Sequence, residues 1–168
     1  MKSVYQAGAT ILLVLLQGSF LPVFLPRLPV NAALVFLVLI SFTAGRNKLL
    51  GFALLAGLVQ DVLYGEITGM FMLMYFVSAV ALWELKTNLL VERVYMCGLR
   101  LAVATLVQDL TATFIFYMNG MDSGQLLATL QFNAGINLLA NLGLLLIVLA
   151  LFRVRGKASM AAVLGENV

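Results

Sequence analysis

Residues Leu49 to Met72 read LLGFALLAGLVQDVLYGEITGMFM. The run is apolar and carries one carboxylate, Asp61, ahead of a short GEITG turn. Gly57, Asp61, Gly65 and Gly69 lie at steps of four, and such steps stack residues on one face of a helix. Glycines on that face let another helix come close, as small-xxx-small seams do in membranes. An acid within such a seam costs about 2.5–3.5 kcal/mol on insertion scales, so an intramembrane carboxylate is a functional-site candidate. The competing reading of Asp61 is an interfacial residue that ends the helix. The stretch therefore predicts a central helix over 49–64 inside a membrane bundle.

The rest of the composition agrees. Of 168 residues, 63% are hydrophobic and 10% charged, where a soluble domain carries about 25% charged residues; mean hydropathy is +1.08. The chain is spent on spans and short loops. No basic patch with interleaved aromatics supports nucleic-acid binding. There is no histidine, which removes imidazole metal ligands and Ser–His or Cys–His pairs. Cys97 is the single cysteine and reads as a small buried apolar residue.

Outward from the central helix, six spans are expected. Lys2 precedes an apolar run from Val4 to about Leu21, read as an uncleaved first helix rather than a signal peptide. Its Ser3, Gln6, Thr10 and Gln17 share one face, which should point into the bundle. Pro22 to Pro29 holds three prolines and is a rigid turn with Arg27 at its tip. Asn31 to Ala44 is a second apolar run, N-capped by Asn31 and short for a bilayer core about 30 Å thick. Helices over 70–85, 101–118 and 126–152 complete the set. Residues 86–100 read as an interfacial segment or an early start to the fifth helix, and Trp83 as an interfacial anchor. Met70, Met72 and Met74 read as pliable packing. Residues 1–152 form one membrane domain, and 153–168 a basic tail expected to be disordered.

Charge orients the spans. With the N-terminus in the cytoplasm, Lys2, Arg46, Lys48, Lys86, Arg93, Arg100, Arg153, Arg155 and Lys157 fall inside, and Arg27 alone falls outside. Nine of ten basic residues inside satisfies the positive-inside rule, and five spans would spoil it. Both termini are expected in the cytoplasm.

Polar residues recur within the apolar runs. LVQDV (58–62) and LVQDL (106–110) are nearly identical. Asn133, Asn137 and Asn141 form a stripe on the sixth helix, which should face other helices. The expectation is a buried cluster of Asp61, Asp109, Asn133, Asn137 and Asn141. It serves either as helix glue through interhelical hydrogen bonds or as a ligand site, and glue is the preferred reading. An intramembrane aspartyl protease would need the two aspartates at one level, and they appear offset along their helices. The four-span lipoprotein signal peptidases and the presenilin-type GxGD pattern do not fit this sequence.

Gly51-Phe52, Gly57, Gln60-Asp61, Gly65 and Gly69 resemble the GF…G..QD…G…G segment of the MreD family. The layout is similar too: Gln17 before a proline-rich turn, Pro29 and Asn31 opening a short apolar helix, Arg46 before the central helix and a basic C-terminal end. The motif covers residues 49–72; the rest of the resemblance is one of layout. It implies a cofactor-free, non-enzymatic component of the bacterial elongation machinery in the inner membrane. Such a protein binds the single-span MreC and works with MreB, RodA and a penicillin-binding transpeptidase in sidewall peptidoglycan synthesis. It also implies an all-α six-helix fold similar to the substrate-binding subunits of energy-coupling-factor vitamin transporters, and that transporter role is the alternative function. Asp109 and the Asn stripe match no family motif. The seam Gly51, Gly57, Asp61, Gly65 and Gly69 is expected to pack helices and receive the partner.

Overall fold

A computed structural model describes residues 2–19, 29–65, 67–88 and 94–154. Among them the chain is all helical: α1 (Lys2–Ser19), α2 (Ala32–Thr43), α3 (Arg46–Tyr64), α4 (Met70–Asn88), α5 (Val94–Met118) and α6 (Ser123–Val154). The tip of the proline-rich turn, Glu66, residues 89–93 and the tail from 155 onward lie outside the described residues. Among the described residues three helices contain stretches long and apolar enough to cross a membrane: Met70–Thr87, Tyr95–Met118 and Ala134–Leu151. Their length and composition are those of a membrane protein.

The second helix organises the bundle. At 1.5 Å per residue its 12 residues reach about 18 Å, little more than half a bilayer core. Its sequence, AALVFLVLISFT, is apolar on every side, the pattern of a helix buried all round. Ala33, Leu34, Leu37 and Val38 are fully buried, and α2 touches each of the other five helices. Its shortness is thus explained by position: α2 is a central core element wrapped by longer neighbours.

Side-chain contacts set the directions. Tyr75 early in α4 meets Asn31 at the start of α2, and Lys86 late in α4 meets Phe42 and Ala44 at its end, so α2 and α4 run the same way. Arg100 stacks on Phe42 while Gln108, two turns later, reaches Asn31, so α5 runs against α2. Asn137 and Asn141 of α6 pair with Asp109 and Thr105 in reverse order, so α6 runs against α5. Ser19 and Tyr64 meet at the C-terminal ends of α1 and α3. Helix direction therefore alternates along the chain.

The helix ends differ from the sequence reading in instructive ways. α3 starts at Arg46 rather than Leu49, and α4 runs to Asn88 rather than Leu85. α5 starts at Val94 rather than Leu101, because its first turns are core: Cys97 and Leu101 are fully buried and the Arg100 guanidinium lies 4.0 Å from the centre of the Phe42 ring. The outer face of α5 exposes Leu99, Leu106, Leu110 and Phe114 between Tyr95 and Tyr117. Those tyrosines are 22 residues apart, about 33 Å of helix, which is the spacing of two aromatic belts across a hydrocarbon core. The α5–α6 turn closes with Gly120 at φ +88°, where its N–H donates to the Tyr117 carbonyl and that of Met121 to Phe116, a Schellman ending.

The backbones of α3 and α4 meet at Gly57, where a Cβ would clash with Met72 Cα and lie 2.7 Å from Met72 N. Since these are backbone atoms, no rotamer change relieves the clash. Gly57→Ala should therefore push α4 away and cost about 1–3 kcal/mol, the range for overpacking. Reversible unfolding in detergent should show the loss, whereas Gly143→Ala on α6, with open space around its Cβ, should unfold like the parent.

Candidate functional site

A helix that starts inside a bundle presents backbone N–H groups with no intrahelical acceptor. In a dry interior each unmet group costs several kcal/mol. The N-terminus of α2 meets this constraint with Asn31 itself and with side chains of α1 and α6, and residues of α3, α4 and α5 bond that group in turn. Asn31 caps its own helix, its Oδ1 accepting from Leu34 N at 2.9 Å. The backbone N–H of Asn31 donates to Asn141 Oδ1 of α6 at 2.7 Å, and that of Ala33 to Gln17 Oε1 of α1 at 3.2 Å. Asn31 Nδ2 donates to Gln108 Oε1 of α5 at 2.9 Å. The Tyr75 hydroxyl of α4 shares its proton between Asn31 Oδ1 at 2.7 Å and Gln60 Oε1 of α3 at 2.9 Å. Asn141 Nδ2 completes the group by donating to Thr105 Oγ1 at 3.2 Å. Tyr75, Gln60, Gln108, Thr105 and Asn141 are all buried.

The opposite end of α2 is met by a cation. Lys86 Nζ donates to the carbonyls of Phe42 and Ala44, both at 3.0 Å, and sits 5.6 Å from the centre of the Trp83 ring. A lysine there satisfies terminal carbonyls and complements the negative end of the helix dipole. Trp83, read from sequence as an interfacial anchor, is half-buried against the core beneath that lysine.

The expected seam divides by position. Gly57 is buried against α4, and one turn later Asp61 Oδ1 accepts from Phe71 N at 2.9 Å while Oδ2 accepts from Met72 N at 3.0 Å. The carboxylate thus caps the N-terminus of α4 from the preceding helix, a favourable place for negative charge. Gly57 permits the approach that brings those amides within reach. Gly65 is the C-cap residue of α3 and Gly69, at φ +85°, the last turn residue before α4. Gly51 is exposed, with nothing within 4 Å of a Cβ built on it.

The expected polar cluster separates into three groups. Asp61 is engaged by α4, and no hydrogen bond among the described residues joins it to Asp109, Asn137 or Asn141. Asp109 Oδ1 accepts from Asn137 Nδ2 at 2.7 Å, pinning α5 to α6. Asn141 belongs with Asn31, and the side chain of Asn133 lies outside the described residues.

Sequence reading singled out the aspartates and passed over the glutamines beside them. In both LVQD segments it is the glutamine that joins this group: Gln108 accepts from Asn31 Nδ2, and Gln60 accepts from the Tyr75 hydroxyl. Adjacent helical residues point about 100° apart, so Asp61 and Asp109 turn to the neighbouring helix instead. The repetition of the pair, 48 residues apart, is the one sequence feature that marks both glutamines, and five common membrane residues are too few to single them out. Tyr75 and Thr105 carried no such mark.

Compared with known protein families, curated proteins and solved structures, the chain has no match.

Two substitution series test this geometry. Asn31→Leu removes the cap and two side-chain bonds and should cost about 2–4 kcal/mol, while Gln17→Leu bares one N–H and should cost about 1 kcal/mol. At position 61, Asp61→Asn keeps one acceptor and should be milder than Asp61→Leu, which leaves both α4 amides bare. Denaturant unfolding in a defined detergent gives all four values; equal losses within either pair would contradict the assignment.

Proposed function

We propose that this chain is a non-enzymatic scaffold of the bacterial elongation machinery, spanning the cytoplasmic membrane six times with both termini in the cytoplasm. The resemblance of residues 49–72 to the MreD segment motivates the reading. The observation that carries it is the use of the buried polar groups. Gln17, Asn31, Gln60, Tyr75, Gln108 and Asn141 bond one another or the α2 backbone, so they hold helices together rather than line a ligand chamber. This weighs against the alternative of a vitamin-transporter substrate-binding subunit, whose pocket would need those groups free. It weighs against an aspartyl protease too, since Asp61 and Asp109 are engaged by different elements.

A scaffold acts through its outer faces. The outer face of α3 carries Gly51, Leu54, Leu58 and Val62, all exposed, at helical spacing. This face receives the single helix of an MreC-like partner, with Gly51 the point of closest approach. Through that partner the chain connects to MreB, RodA and a penicillin-binding transpeptidase. Gly57 does not serve as the contact, because α4 already covers it.

The test is co-purification of the partner from solubilised native membrane. Gly51→Leu should leave the protein's own unfolding unchanged and reduce the captured MreC-like protein about tenfold, a shift worth roughly 1.4 kcal/mol. Capture by Gly51→Leu and by Leu58→Trp equal to that of the parent would remove this face from consideration, and recovery of transporter ATPase subunits would overturn the scaffold reading itself.

A further inference from the structure

Helices α1 and α6 do not touch among the described residues, and α2 forms the floor of the cleft between them. The cleft is a cavity of about 460 Å³ bounded by Leu13 of α1, by Val35, Phe36 and Leu39 of α2, and by Leu144 and Val148 of α6. Polar side chains enter its lining only as Gln6 and Thr43. Thr43 is the last residue of α2, and Gln6 lies one turn into α1, which runs the opposite way, so both polar groups sit toward one end.

That end is the basic one. Thr43 is followed by Gly45, the N-cap of α3, which makes no side-chain cap hydrogen bond. Arg46 and Lys48 come next and are exposed. Two cations in the first turn of a helix oppose its dipole, a placement that an external anion would offset. The cleft is therefore apolar along its length, and its polar end is the one at which Arg46 and Lys48 open α3.

We propose that this cleft holds one acyl chain of an anionic glycerophospholipid, its phosphate held at the Arg46–Lys48 end. The lining favours a flexible acyl chain: it is apolar along α1, α2 and α6, and polar side chains enter it only toward one end. Positive charge at the mouth selects an anionic headgroup, as juxtamembrane lysines and arginines do on the cytoplasmic leaflet. The lipid would fill the one place where the bundle does not close on itself and brace α1 against α6. The inference does not depend on an MreC-like partner, whose docking face lies on α3.

The test is native mass spectrometry of the full chain, delipidated in detergent and then given phosphatidylglycerol or phosphatidylcholine. The parent should retain one phosphatidylglycerol per chain, at least tenfold more tightly than phosphatidylcholine. Val148→Trp, which fills the cleft, should lose it at least tenfold, while Leu146→Trp on the exposed side of α6 should retain it. The double variant Arg46→Gln/Lys48→Gln should bind both lipids equally. A thermal melt without lipid establishes that each variant is folded. Retention by Val148→Trp equal to that of the parent, or no retained lipid in the parent, would overturn the proposal. A photoreactive group at position 36 in native membrane should label phospholipid; labelling of a protein chain would assign the cleft to a partner helix instead.

Discussion

A helix that begins inside a membrane bundle has to find partners for its first backbone amides, because neither water nor lipid is there to supply them. This constraint shapes the whole structure. α2 is only about 18 Å long, and its N-terminus lies among the buried side chains of Gln108, Asn141 and Tyr75. The acceptors come from Asn31 itself, from Gln17 and from Asn141; Tyr75 and Gln108 hold Asn31 in place, and Gln60 and Thr105 bond the next members of the group. Each helix contributes to one shared knot. The apolar packing around Leu34, Leu37 and Val38 provides area but little register, since aliphatic side chains slide past one another at low cost. Directional bonds at one end and Lys86 at the other fix where α2 sits along the bundle.

The α3–α4 hairpin repeats the idea at smaller scale. Gly57 brings the backbones together, and Asp61 takes the first amides of α4 as its acceptor load. Two helix N-termini, one deep and one nearer an end of the bundle, are thus both capped by side chains from other helices. For the proposed scaffold this is a sensible division: the interior spends its polar groups on itself, and recognition would fall to the outer faces, where Gly51 and the leucines of α3 lie open.

How much of this could be read in the sequence follows from the same physics. The number and order of helices were legible because hydropathy and turn residues report them directly, and Asn31 was legible as a cap. The face running through Gly57 and Asp61 was legible as a packing seam, but its occupant was not: steps of four reveal a helix face without saying which helix lies against it. The buried cluster was read through its charged members, yet Asp61 and Asp109 serve local pairings while the glutamines next to them reach the centre. Tyr75 looked like one aromatic among many apolar residues, and only the three-dimensional arrangement places its hydroxyl beside Asn31. The early start of α5 was one of two readings of residues 86–100, the other being an interfacial segment suggested by the charges of Arg93 and Arg100; Arg100 is buried against Phe42.

The central claim is that the first amides of α2 are buried and hydrogen-bonded. Site-resolved amide hydrogen exchange on the full chain in lipid nanodiscs addresses it directly. The account predicts that the N–H groups of Asn31, Ala33 and Leu34 exchange as slowly as those of Val38 and Leu39 in the middle of the helix. Exchange as fast as that of Met121 in the exposed α5–α6 turn would contradict it, and would mean that α2 begins in water rather than inside the bundle.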